Sequence, residues 1–491
     1  MFLALDLTGG AMTEPLTSCI RNTAWVVVWD ASIQHHVFAN GIDVVFRGDT
    51  IIHLGSAYEG PCDVEIDGSE RFVFPGLVNV HCHPSSEPFK KGFREEFGNP
   101  KMHMSPLYDR SFMLQTDDEG QRTALQYALA ELLRSGVTSV VDFSAPYDGW
   151  VDCLADSGIR AWVLPSFASS YWSTKDGHSV DYIWDEKRGH NQLSEAVELA
   201  KQAETHPSGR LSAMLGPAQI DTCTEGLLLD SLQAATDNGW KVHTHAAQSL
   251  VEFQEMTRRH GTTPIQWAER IGLLGPQTIV AHAMFVDTHS WTHWPGSRDR
   301  DILAETGTGV AHCPGVFARN AQMLEDLGGY LRAGVRIGLG TDSFPHNMIE
   351  EMRTAAIVGR IAARDVTALT TSEVFEAATV GGAGLLDRSD LGKLEVGAKA
   401  DLVVADISHP AMMPIRDPLR SLIYTAAERA VCDVFVDGRH VVVDGEVATI
   451  DVPAVSQRLQ AVRDTAEAGA SSHHWAGLTA ADVAPLSLRT K

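Results

Sequence analysis

Five apolar segments of this chain end on a histidine or an aspartate, and that recurrence limits the folds open to it more than any other feature. Phe74-Pro75-Gly76-Leu77-Val78-Asn79-Val80-His81-Cys82-His83 ends on two histidines. Lys241 to His245, Thr278 to His282 and Val310 to His312 each end on one, and Ile337 to Asp342 ends on a carboxylate. Side chains alternate along a strand, so His81 and His83 project the same way and Cys82 the other. A further strand pattern, Gly136 to Phe143, follows a helical stretch from Thr123 to Leu133. This alternation, from Gly76 to about Gly382, implies βα units around a parallel sheet, and its length fits a (β/α)8 TIM-type barrel. The C-terminal strand ends of a barrel surround one mouth, so the five segments deliver their polar ends to one place. Burying so many polar groups alone costs on the order of 1 to 3 kcal/mol each, and a shared metal ion supplies the missing partners.

Both ends of the chain read differently. Trp25-Val26-Val27-Val28, Asp43-Val44-Val45-Phe46 and Thr50 to Leu54 are short β segments, matched late in the chain by Asp401 to Asp406, Cys432 to Arg439 and His440 to Gly445. The expected organisation is a first sandwich part over 13–74, a metal-dependent barrel over 75–385, a second sandwich part over 386–450, and a C-terminal helix and tail over 451–491. The tail from Ser471 onward reads as poorly constrained.

Composition narrows the partners. A net charge of -24 over 491 residues argues against nucleic acid, which demands a concentrated basic surface. Seven scattered cysteines without CxxC spacing read as reduced thiols in a cytoplasmic protein. No run approaches the ~20 apolar residues of a membrane span, and Met1 to Leu7 lacks the basic start of a signal peptide. Met12 is an alternative start. The expected partners are a small uncharged substrate and further copies of the chain in a homo-oligomer, with no nucleic acid and no membrane.

The same residues resemble the amidohydrolase superfamily. The resemblance rests on the segment from Pro75 to His83, the strand-end His245 and His282, the Gly340-Thr341-Asp342-Ser343 turn, and Ala377-Ala378-Thr379 with Leu391 to Leu402. Within it the chain is most similar to the cytosine deaminase-like and s-triazine hydrolase branch, with a general likeness to phenylurea and molinate hydrolases. The resemblance implies one divalent metal ion per chain, zinc or iron, held by His81, His83, His245 and Asp342, with a bound water whose pKa falls toward ~7. Asp342 then takes the proton of that water and His282 stabilises the attacking oxygen or the oxyanion. A role for His282 at a second metal is the alternative, although no strand-end lysine suits a bridged pair.

Two departures bear on the reaction. Relatives that deaminate usually carry His-x-x-Glu after the fifth strand, whereas this chain reads His245-Ala246-Ala247-Gln248. A glutamine amide is no general acid or base. Relatives often show Gly-Pro-His after the fourth strand, where this chain has Gly216-Pro217-Ala218-Gln219. The expected function is therefore hydrolysis of a C–N bond in a small neutral amide, urea or (thio)carbamate, such as a xenobiotic. Hydrolytic deamination or dechlorination of an N-heteroaromatic ring of pyrimidine, pterin or s-triazine type is the alternative. Gln248 and His312 are candidate substrate contacts, with His312 equally readable as a support to the ligands, and His243 is a satisfied core histidine. Glu87 and His346 are loop residues, either solvated or substrate-facing. Phe89, Phe93, Trp150, Tyr171 and Trp172 form either an aromatic pocket or ordinary packing. His473, His474 and Trp475 are surface residues.

Overall fold

The computed structural model describes residues 15–93, 98–99 and 101–490, so the choice between Met1 and Met12 lies outside the described residues. Eight parallel strands form the central sheet: β1 (Leu77–Cys82), β2 (Val137–Ser144), β3 (Arg160–Phe167), β4 (Leu211–Pro217), β5 (Lys241–Ala246), β6 (Thr278–His282), β7 (Gly309–His312) and β8 (Arg336–Leu339). The sheet closes through the last residues of β1. Asp342 N donates to His81 O at 2.9 Å, and His83 N donates to Asp342 O at 2.8 Å. The register of β1 against β2 shifts between Asn79 and Cys82, the stretch that holds His81.

The helices between strands begin and end where their sequences dictate. Asp117 caps the helix Asp118–Arg134, Thr224 caps Glu225–Asn238, and Gly239 ends the latter in the left-handed conformation that costs glycine nothing. Val141, Phe143, Trp162, Leu164, Met214, Ile279 and Ala311 share a buried cluster with Leu385, Leu386 and Leu391, which close the barrel at the N-terminal ends of its strands.

The two chain ends build a β-sandwich together. Arg71–Pro75 pairs antiparallel with Leu402–Asp406 within a seven-stranded sheet, and a four-stranded sheet packs on it through Ile20, Val44, Phe46, Ile51, Val73, Leu402 and Phe435. Buried Arg160, at the start of β3, pins this unit to the barrel by ion pairs to Asp401 at 3.2 Å and Asp437 at 2.8 Å. The C-terminal helix spans Val452–Gly469.

The tail departs from its expected looseness. Ala480 and Val483 are buried with Phe89, Phe93 and Leu114, and His474 is buried beside Asp109, to which Trp475 Nε1 also donates at 2.8 Å. The tail orders against an apolar cluster that Phe89 and Phe93 share with Ala124, Leu459 and Ala466. No helix among the described residues is long and apolar enough to cross a membrane.

Candidate metal centre

Four side chains meet at the barrel mouth. One ligand atom from each of His81, His83, His245 and Asp342 lies within 4.8 Å of the others. Asp342 Oδ1 is 3.5 Å from His81 Nε2 and 3.3 Å from His83 Nε2, and the Nε2 atoms of His83 and His245 are 3.3 Å apart. The backbone decides which nitrogen points inward. His83 Nδ1 donates to the carbonyl of Phe143 and His245 Nδ1 to that of Ala218, both at 2.6 Å, so each Nε2 presents a lone pair. Facing lone pairs at this distance repel unless a cation lies between them. Both nitrogens of buried His81 also lack a hydrogen-bond partner among the described residues. The donor set of three imidazoles and one carboxylate therefore fits a divalent ion such as zinc.

Electrostatics favours the ligand forms. Burial sets His81 and His245 below the usual imidazole range, and neighbouring histidines add to it. Asp342 is buried, yet the close approach of the His81 and His83 rings holds it well below the usual carboxylate range. His83 is the exception. Burial lowers it, but Asp342, Glu87 and the Phe143 carbonyl outweigh that and raise it, so a cation competes with a proton there.

Strands β1 and β8 are clamped by Asn79, which is fully buried. Its Oδ1 accepts from His81 N and Thr341 N, both at 3.2 Å, and its Nδ2 donates to Thr341 Oγ1 at 2.9 Å. The Thr341 hydroxyl also hydrogen-bonds His346 Nδ1, at 3.1 Å. Neither Asn79 nor Thr341 was expected at the site. A polar amide inside an otherwise apolar strand, two residues before the first ligand, is the signal that marks it.

His282 stands beside the group without belonging to it. Its ring centre is 5.3 Å from those of His81 and His245, Phe317 meets it edge-on at 4.7 Å, and both its nitrogens lack a partner among the described residues. Burial pushes its pKa down to about 3, leaving a neutral imidazole. His312 is buried next to it and is pushed down to about 4 for the same reason. Gln248 follows β5, with its Oε1 buried and unpartnered among the described residues. Gln219 pairs with His245 across the strand ends and has the same kind of oxygen. Four residues around this mouth hold positive φ: Ala247 at 53°, His282 at 79°, Ala283 at 43° and Asp342 at 56°. Each costs on the order of 1 to 3 kcal/mol, a concentration of strain typical of a working site.

Other expectations are corrected. Glu87 and His346 are buried, the former paired with Lys90 at 3.0 Å. His243 is buried and stacked on Phe143, but its nitrogens find no partner among the described residues. The aromatic residues make no common pocket: Phe89 and Phe93 pack under the tail, Trp150 donates to Asp142, Trp172 donates to Asp221, and Tyr171 is exposed.

The comparisons with known proteins agree with this geometry. The model of the amidohydrolase family matches residues 72–441. The 5-methylthioadenosine/S-adenosylhomocysteine deaminase of Haloarcula marismortui is 32% identical over 414 residues, 84% of this chain and 88% of that protein. The 5'-deoxyadenosine deaminase of Methanosarcina mazei is 28% identical over 421 residues, 85% of this chain and 91% of the relative. A zinc-bound adenosine deaminase from Xanthomonas campestris superposes with a TM-score of 0.80 at 24% identity, over 93% of this chain and 99% of its own. With the ligand-bearing strands, the closing sandwich and a family match across both, the chain belongs to the amidohydrolase family and is a metal-dependent hydrolase.

Proposed function

We propose that this enzyme is a hydrolytic deaminase of an amino-substituted N-heteroaromatic ring, with adenine nucleosides modified at the 5' position as its substrate class. The observation that carries the reading is the complete set of His81, His83, His245 and Asp342 in a chain that is similar along most of its length to 5-methylthioadenosine/S-adenosylhomocysteine and 5'-deoxyadenosine deaminases. This replaces the urea or carbamate reading as the leading one.

One divalent cation per chain, zinc first, would be held by His81, His83, His245 and Asp342 and would supply a water acidic enough to ionise near neutral pH. Asp342, ionised at that pH, accepts the proton of the attacking water. His282, neutral and without a hydrogen-bond partner among the described residues, hydrogen-bonds the oxygen as it adds to the ring carbon. Gln248 orients the ring through its amide and His312 contacts the substrate beyond His282. The proton that the departing ammonia needs returns from Asp342, because Gln248 has none to give.

That last requirement keeps a second reading in view. A neutral amide, urea or thiocarbamate, xenobiotic or otherwise, needs the same attack, and Gln248 suits it as an orienting group. Ammonia and amine release from the zinc-loaded protein separate the two, using 5'-deoxyadenosine, 5'-methylthioadenosine, a phenylurea and a thiocarbamate. Ammonia from the nucleosides supports the deaminase; an aniline or secondary amine, with no ammonia, overturns it in favour of the second reading.

A further inference from the structure

Glu252, in the first turn of the helix Leu250–His260, is buried and takes no part in the chemistry above. Its carboxyl bridges two consecutive backbone amides. Oε1 accepts from Ala247 N at 2.6 Å and Oε2 accepts from Gln248 N at 2.8 Å. A glutamate three residues after an N-cap ordinarily reaches back to the cap residue itself. Here the cap is Ser249, whose Oγ accepts from Glu252 N at 3.0 Å, and the carboxyl reaches past it to the turn that leaves β5.

That turn is under strain and is shared. Ala247 sits at φ 53°, a conformation that a non-glycine residue keeps only when its surroundings impose it. Its carbonyl accepts from Met284 N at 3.0 Å and Phe285 N at 2.8 Å, and the carbonyl of Ala246 accepts from Ala283 N at 3.1 Å. The second turn, after β6, holds His282 and Ala283 at positive φ as well. The two strained turns are thus locked to one another, and the Glu252 carboxyl holds the first.

We propose that Glu252 is the positioning residue of this site: by fixing the Ala247–Gln248 turn it aims the Gln248 amide and, through the Ala247 carbonyl, steadies the turn that presents His282. The functional half of this inference rests on the roles proposed above for Gln248 and His282; the structural half does not.

The test is Glu252→Gln in the zinc-loaded full-length protein, read by hydrogen exchange and by ammonia release from 5'-methylthioadenosine. An amide nitrogen accepts no hydrogen bond, so one of the two backbone N–H groups loses its acceptor. Exchange is expected to rise at least tenfold in peptides covering residues 246–250 and 283–286, with residues 137–144 and the zinc content unchanged, and kcat is expected to fall at least tenfold with little change in KM. Unchanged exchange, or exchange rising uniformly through the barrel, overturns the proposal. Locally raised exchange in a protein whose wild type releases no ammonia upholds the positioning role and overturns the deaminase reading instead. Should E252Q fail to fold, Ala247→Gly in the same chain removes the backbone strain and is expected to restore folding; no rescue contradicts the role.

Discussion

His83 and His245 face each other through Nε2 atoms 3.3 Å apart, while a backbone carbonyl takes the Nδ1 proton of each ring. Neither ring turns away without losing its 2.6 Å hydrogen bond, so the relationship is built in and a cation relieves it. Chelation is therefore expected to lower the melting temperature, and zinc to restore it. A site saturated at a hundredfold its Kd contributes about 2.7 kcal/mol, a shift readily seen by scanning calorimetry. His245→Ala should show no response to either treatment.

Asn79 holds the backbones of His81 and Thr341 together through one amide oxygen. Asn79→Ala is expected to weaken zinc binding by ~10- to 100-fold, the usual effect of removing a group that orients ligands. Asn79→Asp keeps the acceptor and should lose less. Competition against a chromophoric chelator measures both, and equal affinities in wild type and N79A would remove the clamp from the account.

Gln248 is the residue where this chain parts from the deaminase pattern. Gln248→Glu conserves the shape and adds an ionisable group where the leaving amine needs a proton. Ammonia release from 5'-methylthioadenosine is expected to rise on the order of 100-fold, the range of a placed general acid. Rate profiles between pH 5 and 9 should gain a new ionisation in the variant. An unchanged rate and profile would mean that residue 248 does not face the leaving group.

Glu351 is buried with Gly315 N donating to it at 2.9 Å, and burial raises its carboxyl from 4.5 to about 8. A raised carboxyl binds its proton more tightly folded than unfolded, so stability falls as pH rises from about 4.5 to about 8 and then levels. The slope contributed by one such proton is at most about 1.4 kcal/mol per pH unit. Glu252, Asp142 and Asp299 are raised by burial in the same way, so denaturant titrations across that window should show a decline in wild type that Glu351→Gln makes shallower.

The ligand strands were legible because their chemistry departs from what an apolar strand needs. His81, His83, His245, His282 and Asp342 all sit where a core strand gains nothing from polarity. Strands β3 and β4 carry no such ends, and Pro165 in the first and Gly216-Pro217 in the second read against a strand although both lie within it. The helix expected over 123–133 extends to Asp118–Arg134, since capping by Asp117 lies upstream of the apolar pattern. His474 looked like a surface residue because its partner, Asp109, is 365 positions away in the chain. Asn79 and Glu252 escaped notice for the same reason: their importance lies in which backbone amides they meet, and a sequence does not display those meetings.

The central claim is tested most directly by ammonia release from 5'-methylthioadenosine, measured on one preparation before chelation, after it, and after return of one equivalent of zinc per chain. The account predicts steady release, loss on chelation and recovery at one equivalent, with none of the three in Asp342→Ala. Release that survives complete removal of metal, or a zinc-replete protein that releases no ammonia, would contradict it.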